Sequence, residues 1–195
     1  MGLLRTFIAA DIPPSIKKSV QIQVNHLHKF IGDSSVRWVP VGNIHLTLKF
    51  LGETSPSNVD LLKQAIRTQA DSFSKIDITI GGLGSFPSQK RARVLLVRIQ
   101  APVELETLQR GIDSACANIG YKSETHPFSP HLTIGRVRRG ISSADQMKIH
   151  KALAEVKIDS LGTTRVDYIH LYKSELSPAG AMYTKLFSAP LNNTS

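Results

Sequence analysis

Apolar and polar positions along the chain fall into two rhythms. Four segments repeat apolar residues every three to four positions, the period of a helix with one buried stripe. Behind Pro13 and Pro14 the first stripe is Ile16, Val20, Val24, Leu27, Phe30 and Ile31. The second segment starts at Ser57, pairs it with Asp60 in a capping-box-like arrangement, and carries Leu62, Ile66 and Phe73. The third places Pro102 in its first turn, is apolar at Leu105, Leu108, Ile112, Cys116 and Ile119, and stops at Gly120. Ser143, followed by Gln146, opens the fourth, whose buried residues are predicted to include Met147 and Leu153. Between them, β-like runs cover residues 5–10, 44–51, 76–83, 94–99, 131–137, 166–173 and 183–187. The last two are joined through Ser177-Pro178-Ala179-Gly180, a turn sequence.

This order repeats. Strand, Pro-started helix, His-Leu-Thr strand and Ser-started helix occur twice, with Pro13 and Pro102 offset by 89 residues. His45 and His131 are offset by 86, as are Ser57 and Ser143. Three matches in sequence, with matching element types, predict a duplicated unit. The expected fold is α+β: two pseudo-symmetric lobes, with antiparallel sheets lining a central cleft and helices outside. No Gly/Ser linker divides the chain, so residues 1–195 read as a single two-lobed domain.

Each repeat carries a histidine and a threonine on one strand face. Ile44, Leu46, Leu48 and Phe50 alternate strictly, which turns them to the core and His45, Thr47 and Lys49 to the other side. Leu132 and Ile134 likewise point inward and His131 and Thr133 outward. A single His-x-Thr pair on a strand is ordinarily a solvated pair. Two copies at equivalent positions of a duplicated chain meet by symmetry, and two imidazoles and two hydroxyls then converge in the cleft. His26, His28, His126, His150 and His170 have no such partner and read as surface or core residues.

Charge sharpens this picture. With 24 Lys+Arg against 15 Asp+Glu the 195-residue chain has a formal charge of +9. The excess gathers in two knots, Lys90, Arg91 and Arg93, and Arg136, Arg138 and Arg139, placed to wall a phosphate-binding groove. The one cysteine, Cys116, excludes an intramolecular disulfide framework and reads as a core residue. No apolar run reaches the roughly 18 residues of a membrane span. The opening residues are too short and interrupted for a signal peptide, so a cytoplasmic protein is expected.

Two histidines and two threonines limit the chemistry. No Asp, Glu or Cys stands beside either histidine and threonine is a poor ligand, so a metal site is not expected. Nucleophilic catalysis lacks an orienting carboxylate. Metal-free phosphodiester cleavage fits: imidazoles near pKa 6.5 serve as base and acid on opposite sides of phosphorus. Thr47 and Thr133 then donate to the phosphoryl oxygens.

The sequences RWVP, NIHLTLKFLGE, GGLGSFPS, PFSPHLTIGRVRR and LYKSELSPAGAMYT, in that order, resemble the 2H phosphoesterases. More narrowly the chain is similar to the RNA 2′,3′-cyclic phosphodiesterases, also called 2′-5′ RNA ligases. The resemblance implies metal-free hydrolysis of a 2′,3′-cyclic phosphate on an RNA end or nucleotide to a 2′-phosphate, with reversible 2′-5′ ligation and no cofactor. It implies His45 as proton donor to the leaving 3′ oxygen and His131 as the base that activates water. Arg136 occupies the family's arginine position after the second motif, but on a regular strand it would face the core, so a bulge near Gly135 is expected. Lys49 and Arg93 are further candidate phosphate contacts. Where relatives often carry an aromatic, this chain reads Val94-Leu95-Leu96, leaving Trp38, Phe50 or Phe128 to stack on a base, Trp38 reading equally as a core anchor. The expected partner is an RNA end or nucleotide bearing a 2′,3′-cyclic phosphate, bound by a monomer with no membrane attachment. Two alternatives stay open: a non-catalytic RNA-end or nucleotide-binding module, and a sister enzyme acting on 2′-5′ oligoadenylate or ADP-ribose cyclic phosphate.

Overall fold

Strands and helices alternate through most of the chain in a computed structural model that describes residues 2–177 and 180–193. Their order is β1 (Leu4–Asp11), α1 (Pro14–Ile31), β2 (Val36–Trp38), β3 (His45–Thr54), α2 (Val59–Ala70), β4 (Ile76–Phe86) and β5 (Val94–Gln100). There follow α3 (Val103–Asn118), β6 (His131–Val137), α4 (Ser143–Glu155), β7 (Ser160–Val166), β8 (Tyr168–Ser177) and β9 (Gly180–Pro190). All the strands join one nine-stranded, strongly curled antiparallel sheet of order β7-β4-β5-β6-β3-β1-β8-β9, with β2 on β6. The sheet's apolar face and the buried stripes of all four helices form one core, from Ile8, Leu46 and Leu132 to Leu27, Leu62, Leu108 and Ile149. The opposite face is left free for a site.

The two motif strands meet at the centre of this sheet through a single pair, Leu46 with Leu132. Outward from that pair the order is symmetric: β5 and β4 flank β6, as β1 and β8 flank β3. The lobes are therefore not the two halves of the sequence. β4 follows the first motif yet pairs with β5, and the C-terminal β8 returns to pair with β1.

Several predicted details change. The run at 166–173 is two strands, β7 and β8, broken at Asp167, and the short β2 carries no sequence period of its own. Of the predicted turn after β8, Pro178 and Ala179 lie outside the described residues. The Ser57–Asp60 cap does not form: a short 3-10 turn, Pro56–Asn58, precedes α2, and the Ser57 hydroxyl pairs with Ser55 instead. In α4 the capping residue is Ser142, whose Oγ accepts from the Asp145 N–H at 3.1 Å. That rotates the stripe so that Ile149 is buried and Met147 is 65% exposed. Phe30 is also exposed, near the end of α1 where the helix leaves the core and its ring stacks on His26.

Candidate active site in a basic cleft

β3 and β6 share one pattern of burial over their first seven residues, and its cause is a bulge at the same place in each. In β3 the pairing passes from Ala9–Thr47 to Ile8–Lys49, so Leu48 has no partner on β1. In β6 it passes from Leu96–Thr133 to Leu95–Gly135, so Ile134 has no partner on β5. An extra residue reverses the in–out alternation beyond it. The residue five positions after each histidine therefore turns to the cleft: Phe50 in one repeat and Arg136 in the other. The bulge expected near Gly135 is present, one residue earlier. Glycine is required there because a Cβ on Gly135 would stand 2.8 Å from Val36 Cγ1 and 3.3 Å from the Trp38 indole.

The same device overturns the reading of Lys49 as a phosphate contact. The strict alternation that placed it beside His45 is broken at Leu48, and its side chain enters the core, 1% exposed. There the ammonium pairs with Asp113 of α3 and donates to the Lys122 carbonyl oxygen. Phe50, read by alternation as facing the core, is 60% exposed and lines the cleft instead.

The cleft has a volume of about 1080 Å³. Its lining includes His45, Thr47, Thr133 and Arg136 from the two motifs, and Arg5, Arg37 and Arg138 from β1, β2 and the segment after β6. Among the described residues no carboxylate lines it. His131 lies two residues before Thr133 on the same face of β6, outside the residues that line this volume. Trp38 lines the cleft and also anchors it, its Nε1–H donating to the Gly32 carbonyl oxygen at 3.3 Å. Arg93 is exposed before β5 and is not part of the lining, because its place at the strand start leaves Arg136 of the paired strand nearer the site. Phe128 is packed against the core, on the connection that brings the chain to Ser129. Sequence reasoning missed Arg5, Arg37, Phe7, Asn43 and Tyr183 as cleft residues: none belongs to a His-x-Thr pair, and although Arg37, Asn43 and Tyr183 lie within the family segments, no local period shows that they reach the cleft.

Both imidazoles are oriented alike. The His45 Nδ1–H donates to the Asn43 carbonyl oxygen and the His131 Nδ1–H to the Ser129 carbonyl oxygen, each at 2.7 Å and each two residues upstream. That leaves Nε2 of each neutral ring as the atom free to accept a proton, and to deliver one once the ring is protonated. The Phe7 ring stacks on His45 with centroids 4.8 Å apart and Tyr183 meets it edge-on at 5.4 Å. Burial pushes the His45 pKa down to about 4, with the Lys17 and Arg136 charges adding to the effect against the raising influence of the Asn43 carbonyl and Asp11. His131 is also lowered, first by burial and then by Arg136, against the Ser129 carbonyl. One guanidinium thus acts on both imidazoles. Among the described residues no three His, Cys, Asp or Glu side chains cluster as a metal site would require.

A basic cleft lined by His45 and both motif threonines, with His131 two residues before the second threonine on the same strand, is the class of site this structure defines. The family model for the 2′-5′ RNA ligase superfamily matches residues 12–177. The chain belongs to that superfamily. It is 30% identical over 183 residues to a Methanothermobacter thermautotrophicus protein named RNA 2′,3′-cyclic phosphodiesterase, covering 94% of this chain and 96% of that one. A protein of the same name from Methanocaldococcus jannaschii is 31% identical over 180 residues, 92% of this chain and 96% of its own. The fold is that of a Thermus thermophilus crystal structure, with a TM-score of 0.81 at 23% identity over 98% of this chain and 100% of the other.

Proposed function

We propose that the protein hydrolyses RNA or nucleotide 2′,3′-cyclic phosphates to 2′-phosphates by two-histidine acid–base catalysis without a metal. The observation that carries this reading is the matched pair of imidazoles, each tied at Nδ1 to a backbone carbonyl, beside an arginine whose charge reaches both. In the reaction His131 Nε2 takes a proton from water as the oxygen attacks phosphorus. The bond from phosphorus to the 3′ oxygen breaks, and His45 delivers a proton to that oxygen. Arg136 and the Thr47 and Thr133 hydroxyls stabilise the charge that builds on the phosphoryl oxygens. Phe50, or Trp38 on the opposite strand, offers a face for the base. The names of the relatives support the substrate class. With the 5′-hydroxyl of a second RNA in place of water, the same steps make a 2′-5′ bond.

Burial holds the His45 ring neutral in the free protein at pH 7, so the proton that it delivers is taken up from solvent as the substrate anion binds. A phosphate anion between Nε2 and Arg136 favours the protonated ring, and the buried site strengthens that attraction. The test is a short RNA ending in a 2′,3′-cyclic phosphate, incubated in EDTA with the product isomers resolved. A 2′-phosphate is expected. A 3′-phosphate would reverse the leaving group, and bound but unchanged RNA would make the protein a binding module.

A further inference from the structure

A second cavity, of about 930 Å³, opens where β1 passes into α1 and faces the ends of β8 and β9. One short turn contributes to the walls of both this cavity and the cleft. In the short 3-10 turn Val41–Asn43, Val41 and Gly42 face this cavity while Asn43 faces the cleft. Lys17 holds the turn by donating from Nζ to the Gly42 carbonyl oxygen at 3.0 Å.

An aromatic path runs between the two along the sheet. The His45 ring stacks on Phe7 at 4.8 Å and Phe7 on Tyr172 at 5.2 Å. Tyr172, His170 and Tyr168 follow at alternate positions of β8, Tyr168 stacking on His170 at 6.0 Å and 11°. Tyr168 and Tyr172 are about 13 Å apart at roughly 3.3 Å per residue. Tyr168 ends the path with half its surface exposed, in the cavity.

Charge around Tyr168 favours an anion. Lys17, Lys18, Arg165 and Lys185 line the cavity against Asp11 and Asp167. Both acids are already engaged: Asp11 accepts from the Tyr172 hydroxyl at 2.6 Å and from Lys185 at 3.0 Å, and Asp167 lies 3.7 Å from Lys75. Arg165 is held by Asp77. Lys18 is exposed and makes no ion pair among the described residues. A flat aromatic ring in a cation-lined groove is how sequence-tolerant single-strand sites are built, the ring for a base and the cations for the backbone.

We propose that this cavity binds the single-stranded RNA upstream of the cyclic-phosphate end, with Tyr168 stacking on a base and Lys18 and Lys17 contacting its phosphates. The proposal rests on the cyclic-phosphodiesterase reading of the cleft and extends it: the preferred substrate is an oligonucleotide long enough to cross the Val41–Asn43 turn, not a mononucleotide.

The test compares a 2′,3′-cyclic mononucleotide with oligonucleotides of increasing length that end in the same cyclic nucleotide. For the unaltered protein kcat/KM rises with length. Tyr168→Ala and Lys18→Glu, both outside the cleft and both exposed, lower kcat/KM for the long substrates on the order of tenfold and spare the mononucleotide. Lys18→Glu also makes the salt dependence of RNA binding less steep. Equal kcat/KM at every length, or equal losses on mononucleotide and oligonucleotide, overturns the proposal. If no substrate is hydrolysed, the reading of the cleft has failed. Fluorescence anisotropy with the same labelled oligonucleotide then decides the cavity separately: weaker binding by both variants upholds it, and unchanged binding removes it.

Discussion

His45 and His131 are held by the same backbone device in unequal surroundings. Phe7 and Tyr183 enclose His45, and the loss of solvation takes its pKa to about 4. Replacing either histidine by alanine is expected to lower turnover by orders of magnitude and to leave the far-ultraviolet circular dichroism unchanged. Comparable turnover in both variants and the parent would sink the two-histidine mechanism. The pKa shifts also set a pH profile. Both are downward, so the free protein loses its imidazolium groups below the ordinary histidine value of about 6.5, and kcat/KM is already falling when pH rises past it. The profile of kcat extends to higher pH, because bound phosphate restores the His45 proton. A kcat/KM plateau reaching pH 8 would contradict this account.

At the scale of elements, the bulges decide which side chains reach the cleft. Each inserts one residue three places after its histidine and brings the fifth into the cleft. Gly135→Ala presses a Cβ against Val36 and Trp38, a cost of about 1–3 kcal/mol in a packed interior. It also re-aims Arg136, so kcat/KM is expected to drop on the order of 10–100-fold. A thermal melt and steady-state kinetics separate the two effects. Lys49→Met removes the partner of Asp113, whose side chain is 16% exposed. The Tm should fall, with a loss of up to about 3–5 kcal/mol, while KM for the cyclic phosphate stays put. A raised KM without a stability loss would return Lys49 to the cleft. The helices and motif strands were legible because their periods are strong. The bulges were half legible: Arg136 signalled one by standing on the wrong face for a cation, whereas Leu48-Lys49-Phe50 alternates without a visible break.

For the whole molecule the buried histidine couples folding to acid. Unfolded His45 binds a proton near pH 6.5, but in the folded protein only near pH 4. Between those values the unfolded state holds more protons, so stability falls as pH falls, by about 3 kcal/mol across the window, and is unaffected above it. Denaturant melts at pH 7 and pH 4.5 should show this loss, reduced in His45→Asn. An equal loss in that variant would place the acid sensitivity elsewhere.

The sequence alone determined the repeat, the helical stripes, the paired His-x-Thr faces and the basic excess, since each is a local pattern or a count. It also carried the family motifs. Only the tertiary structure decided that β4 and β8 exchange between lobes, that Lys49 is buried while Phe50 is not, and that Arg5, Arg37 and Tyr183 join the cleft. These depend on which strands pair and where one residue is left over. Pairing is a contest among distant segments for the same hydrogen bonds and the same core, and no local period records its outcome.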